Sequence, residues 1–173
     1  MENTACAFTG HRPKSFPWKY NETAPECVLL KEVLAAQIKM LADSGVMVFL
    51  SGMAQGVDLW SSQIILDLQK KNPALKLHCV LPCKEQESKW TASAQETYHS
   101  ILAQASEVTY VGQKYSRDCM LKRNRWMVDH SSILLAVYNG ARRSGTGATI
   151  SYARQRQREI IVIDPVSRHI AYQ

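Results

Sequence analysis

The sequence predicts an α/β fold: a doubly wound, mainly parallel sheet of about six strands with helices on both faces. Three observations carry that expectation. Short apolar runs alternate with longer helical patterns along the whole chain. The central runs are apolar almost throughout instead of alternating, as parallel strands covered on both faces require. Several of them end in glycine-bearing turns that lead into a helix.

The elements follow in order. "TACAFTG" (4–10) reads as a first strand ending in a glycine turn. Thr23 and Glu26 fit a capping box around Pro25, and the helix that follows sets Leu30, Val33, Leu34, Ile38 and Leu41 on one face. Gly45 is its natural stop. "VMVFL" (46–50) is a second strand, and the helix over 57–71 is closed by Asn72-Pro73. "LKLHCVLP" (75–82) is a third strand, followed by a polar-faced helix over 85–105. "EVTYV" (107–111) is a shorter fourth strand with a helix near 117–130 behind it. "SILLAVYNG" (132–140), a helix over 146–157 and "EIIVID" (159–164) complete the pattern. The first strand is expected near the middle of the sheet and the fourth at either edge.

A chain of 173 residues is read as one domain with a single core. Apolar residues at 46% and charged residues at 21% exclude a disordered chain. No run approaches the ~18 apolar residues of a membrane span. "MENTACAFTG" lacks the basic region and longer apolar stretch of a leader, so a cytoplasmic protein without membrane contact is expected. The five cysteines are odd in number and scattered, which argues against a disulfide framework. "HCVLPC" places His78 and Cys79 near Cys83, but Cys79 falls inside an apolar strand and the spacing is not C-x-x-C; no metal is expected.

The net charge of +6 is uneven. Residues 1–113 hold 10 Lys/Arg against 11 Asp/Glu, whereas residues 114–173 hold 11 against 4. One end of the molecule should attract anions. In a doubly wound sheet, ligands sit beyond the carboxyl ends of the strands, where strand order reverses. Gly10 in "TGHRP", Gly52 and Gly56 in "LSGMAQGVDLW", and "NGARRSGTGAT" (139–149) all fall there. Open backbone N–H groups and a helix N-terminus suit a phosphate, and Arg142 and Arg143 would reinforce it. The two glycines around Met53–Gln55 read as room for a ligand's phosphate or sugar against the main chain.

His11 and Arg12 leave the first strand toward the same edge, with Arg suited to grip phosphate. Trp18, in "SFPWKYN", is the stacking candidate, whereas Trp60 and Trp126 read as core. Ser51 and Thr146 either bond phosphate oxygens or cap their loops. Asp58 either serves the helix start or bonds ligand hydroxyls or the neighbouring loop. No catalytic residue is assigned.

The motif "SGMAQGVD" resembles the SG-x-A-x-G-x-D signature of the DprA/Smf Rossmann domain. "TGHRP", "RNRWMVDHSSILLAVYNG" and "SGTGATISYA", in that order over nearly the whole chain, resemble the YpsA-like branch of the SLOG superfamily. The resemblance implies a Rossmann-like fold and a nucleotide-derived, ADP-ribose-like ligand, with no separate cofactor. LOG-type phosphoribohydrolases of the same superfamily carry R-K-x-x-M and P-G-G-x-G-T-x-x-E. Here Arg123 and Met127 match, but Asn124 replaces the lysine. Gly145 and Thr146 match, but Thr149 replaces the glutamate, which argues against the same hydrolysis. The expected ligand contacts are therefore Gly10, His11, Arg12, Trp18, Ser51, Gly52, Gly56, Asp58, Arg123, Asn124, Gly145 and Thr146, in a sensor or binding module. N-glycosidic hydrolysis and DprA-like single-stranded DNA binding are the rivals; under the small-ligand reading, only weak, non-specific nucleic-acid binding is expected. Related folds often pair, so a homo-oligomer is compatible.

Overall fold

The sheet runs β4-β3-β2-β1-β5-β6-β7. Its strands are β1 (Ala5–Gly10), β2 (Val48–Ser51), β3 (Lys76–Leu81), β4 (Glu107–Tyr110), β5 (Ile133–Val137), β6 (Glu159–Ile163) and β7 (Ile170–Tyr172). The computed structural model describes residues 4–173. Residues 1–3, the start of the segment read above for a leader, lie outside the described residues. All pairings are parallel except β6 with β7. The first strand is central, as expected, and β4 takes the edge beside β3.

Among the described residues the α-helices are α1 (Pro25–Asp43), α2 (Val57–Gln69), α3 (Ala92–Gln104), α4 (Cys119–Asp129) and α5 (Gly145–Gln155). The larger apolar core joins α1, α2 and α3 to one face of the sheet through Leu30, Leu34, Ile38, Ile65 and Ile101. Met127, Val128, Ile150 and Ala153 of α4 and α5 cover the other face. Successive strand residues point to opposite faces, so Cys6 and Phe8 enter the first core while Ala5 and Ala7 enter the second. The fold is the expected Rossmann-like one. The chain winds outward from β1 to β4, returns to β5 beside β1, and winds the other way. That reversal opens a crevice between β1 and β5.

Three local expectations need correction. The capping box at Thr23 does not form: the N-cap is Ala24, without a side-chain cap, and Thr23 Oγ1 instead donates to Asn21 Oδ1 at 2.6 Å. Pro25 starts the helix, its fixed φ and missing N–H suiting the first helical position. Second, α3 begins seven residues later than 85, because Thr91 caps it by accepting from Ala94 N–H at 3.2 Å. The preceding segment makes turns, with Glu85 in the left-handed region at φ 62°. Third, β7 was not anticipated. Asp164 Oδ1 accepts from the N–H groups of Val166 and Ser167 and folds the chain back as a hairpin. At its far end α1 stops as expected: Gly45 has φ 109°, and Val46 N–H reaches Leu41 O at 3.0 Å. Among the described residues, no helix is long and apolar enough to cross a membrane.

Candidate functional site

A cavity of about 470 Å³ occupies the crevice at the strand-order reversal. Its walls come from the end of β1, the loop after it, the turn before α2, α4, and the first residues of α5. Of the twelve residues expected from sequence, Gly10, His11, Arg12, Asp58, Arg123, Asn124, Gly145 and Thr146 line it. Ser51, Gly52, Gly56 and Trp18 do not.

The start of α5 is shaped for an anion. Ser144 caps the helix, its Oγ accepting from Gly147 N–H at 3.0 Å, and Ala148 N–H bonds Ser144 O at 3.0 Å. The N–H groups of Gly145 and Thr146, the first two of the helix, therefore have no intrahelical partner. They stand at its positive end, which is the geometry of phosphate recognition. Arg12 and Lys14 line the same cavity. Arg142 and Arg143 stand exposed in the loop and do not line it.

Arg123 is 3% exposed and is committed to the protein. Its Nη1 donates to Gly52 O and, at 3.4 Å, to Val80 O, and its Nε donates to Asn124 Oδ1 at 2.8 Å. It clamps the turn after β2 to the end of β3. Burial pushes its pKa down, and the Asp58 carboxylate opposes that. Gly52 is explained by this clamp, since a Cβ there would overlap the guanidinium. Gly56 sits at φ 92°, and a Cβ on it would lie 3.0 Å from His11 O and 3.2 Å from Pro13 Cδ. A Cβ at Gly10 would lie 2.5 Å from Val57 Cγ2. The glycines thus let protein approach protein; the expected room for a ligand against residues 52–56 is filled by Arg123 and the loop after β1.

Ser51 is likewise internal. Its Oγ donates to Asp58 O at 3.1 Å and accepts from Met53 N–H at 3.2 Å, holding Met53 at φ 60°. Asp58 is 7% exposed and closes the turn, its Oδ2 accepting from Ala54 N–H at 3.2 Å. Burial raises its pKa, while Arg123, the Ala54 bond and Arg12 pull it back. Trp18 stacks on Phe16 with ring centroids 4.9 Å apart, and lines a different depression with Pro17 and Val166. Phe16 carries that tryptophan away from the crevice.

His11 Nε2 accepts the backbone N–H of Asn139 at 3.1 Å, so a neutral ring carries its proton on Nδ1. Burial pulls its pKa below the ordinary 6.5. His78, bonded to Thr109 Oγ1 at 2.7 Å, is lowered for the same first reason. A histidine depressed in the fold protonates first in the unfolded chain, so its contribution is intact at higher pH and is lost as pH falls through about 6.5. The melting temperature should therefore fall between about pH 7.5 and 5.5, and fall less in His11→Gln. Asp58, raised by burial, takes up a proton in the folded state at lower pH and offsets part of the loss. An unchanged melting temperature, or an equal fall in the variant, would remove His11 from this account.

Lys14 and Ser15 also line the cavity but escaped the sequence reading. The short helical turn Pro13–Ser15 folds them back over it; Pro13 after Arg12 was the available signal. A second cavity of about 680 Å³ lies on the other side of the Gly56 turn, between α2 and α3, with Trp60 and Trp90 in its wall.

Comparison with known proteins agrees with this architecture. A family model described as the YspA SLOG family matches residues 6–167. The UPF0398 protein of Lysinibacillus sphaericus (strain C3-41) is 30% identical over 134 residues, covering 76% of this chain and 74% of that protein. A UPF0398 protein of Bacillus thuringiensis (strain Al Hakam) is 31% identical over 158 residues, or 89% and 84%. The uncharacterized SPbeta prophage-derived protein YoqJ of Bacillus subtilis (strain 168) is 33% identical over 144 residues, or 76% and 84%. The motifs at the end of β1, after β2, around α4 and at the start of α5 all lie within a match over most of the chain, and the chain belongs to the YpsA family of SLOG proteins.

Proposed function

We propose that the cavity binds a nucleotide or nucleotide-derived phosphate, of the ADP-ribose type, and that the protein acts as a sensor or binding module. The observation that carries this is the convergence of the N–H groups of Gly145 and Thr146, which have no intrahelical partner, with Arg12 and Lys14 on one crevice. Its size suits a small ligand, for which sites of roughly 300–1,000 Å³ are usual. A thermal-shift panel of AMP, ADP-ribose, NAD and cyclic dinucleotides tests it. At least one compound should raise the melting temperature by several degrees, and a flat panel would count against the reading.

Asp58 gives N-glycosidic hydrolysis a specific foothold, being a carboxylate in the cavity wall. Against it, Thr149 is turned inward, its Oγ1 donating to Gly145 O at 2.8 Å. No carboxylate stands there to assist water. Incubation with AMP should release no adenine above background. Release by the wild type, lost in Asp58→Asn, would establish an enzyme.

A further inference from the structure

The cavity mixes two kinds of polar wall that one simple anion does not satisfy. The α5 end offers donors: the N–H groups of Gly145 and Thr146, with Arg12 and Lys14 beside them. The α2 end offers Asp58, more than nine-tenths buried and part of the same lining. Its Oδ2 is taken by Ala54 N–H, and among the described residues no group donates to Oδ1. An ionised carboxylate only accepts hydrogen bonds, as does a phosphate dianion. The two repel unless the ligand places its own donors between them. Oδ1 opens to the cavity, and a ligand that displaces water from it must supply O–H or N–H groups in its place, because a buried carboxylate with an unfilled acceptor is costly.

We infer that the site reads the sugar of its ligand, holding the phosphate at the start of α5 and the free neighbouring hydroxyls of a ribose at Asp58. This rests on the phosphate-binding reading above and narrows it. Hydroxyls suit the place because one uncharged group there donates to Asp58 without bringing a second charge next to Arg123, whose Nε and Nη1 are already engaged. Among the described residues, the lining holds one carbocyclic aromatic residue, Phe8, whose side chain is fully buried in the core, and Trp60 and Trp90 line the other cavity. Selection therefore falls on the ribose phosphate and not on the base. Ribose 5-phosphate and AMP are ligands of the right class. Deoxyribonucleotides lack one hydroxyl. Cyclic dinucleotides and nucleic-acid strands have a ribose oxygen esterified, and the same carboxylate turns them away.

The test is calorimetric titration of ribose 5-phosphate, AMP, 2′-deoxy-AMP and inorganic phosphate into the wild type and Asp58→Asn. Asparagine keeps an acceptor for Ala54 N–H, and the melting temperature of the free variant checks its fold. In the wild type, 2′-deoxy-AMP should bind at least about ten-fold more weakly than AMP, as expected for losing a hydrogen bond to a charged group. In Asp58→Asn that gap should shrink to about three-fold or less. Equal binding of AMP and its deoxy form by the wild type would overturn the inference and leave phosphate binding standing. So would an undiminished gap in a folded Asp58→Asn. Should that variant not fold, the wild-type comparison alone decides. Failure of all four compounds to bind would overturn the inference, and a flat thermal-shift panel beside it would overturn the phosphate reading as well.

Discussion

Gly52→Ala is expected to lower the melting temperature by about 6–12 °C, and to be close to neutral when Arg123 is already alanine. The added Cβ overlaps the Arg123 guanidinium, which then leaves Gly52 O and Val80 O. A buried charge stripped of its partners costs ~3 kcal/mol or more. Each kcal/mol moves the midpoint of a chain of this size by roughly 2–4 °C. Removing the side chain at 123 empties the space the methyl group needs, so the two changes should be strongly non-additive. Equal costs of Gly52→Ala in both backgrounds would show that the glycine answers to something other than the clamp.

The second large effect concerns ligand, not stability. A ligand at ~100 times its dissociation constant adds ~2.7 kcal/mol, or about 5–10 °C here. Gly145→Asp should erase that shift while leaving the free protein as stable as before. A Cβ at 145 meets nothing within 4 Å. A carboxylate in the first turn of α5 favours the helix by ~0.3–1 kcal/mol through its dipole. The same carboxylate stands where the phosphate is to lie. Retained ligand stabilisation in a folded Gly145→Asp would place the anion elsewhere.

Much of this fold was legible because each strand is a compact apolar run and each helix carries an apolar stripe; Leu30, Leu34 and Ile38 are fully buried as expected. What escaped was set by contacts distant in sequence or by turn chemistry. Gly52 announces that a side chain is unwelcome but not what approaches, and the visitor, Arg123, is 71 residues away. The family match marked Arg123 and Asn124, yet only the folded chain shows one bonded to the other and to two carbonyls. Three-residue β7 carries too short a pattern to read, and its hairpin depends on the Asp164 turn. Trp18 follows the right strand, but packing on Phe16 carries it away from the crevice.

Ionic strength separates a small anion from a polymer. Single-strand affinity should decline with a log–log slope near −0.7 for every phosphate contacted. With Arg142 and Arg143 exposed outside the cavity, DNA binding should be weak and vanish at ~0.15 M salt. Tight binding of a defined strand length at that salt, lost in Arg142→Ala and Arg143→Ala, would favour the DprA-like reading instead.

The most direct measurement is a crystal structure of the protein with ADP-ribose. The account predicts a phosphate within hydrogen-bond reach of the Gly145 and Thr146 N–H groups and a ribose diol against Asp58. Ligand found instead in the cavity between Trp60 and Trp90, with the crevice at α5 empty, would contradict it.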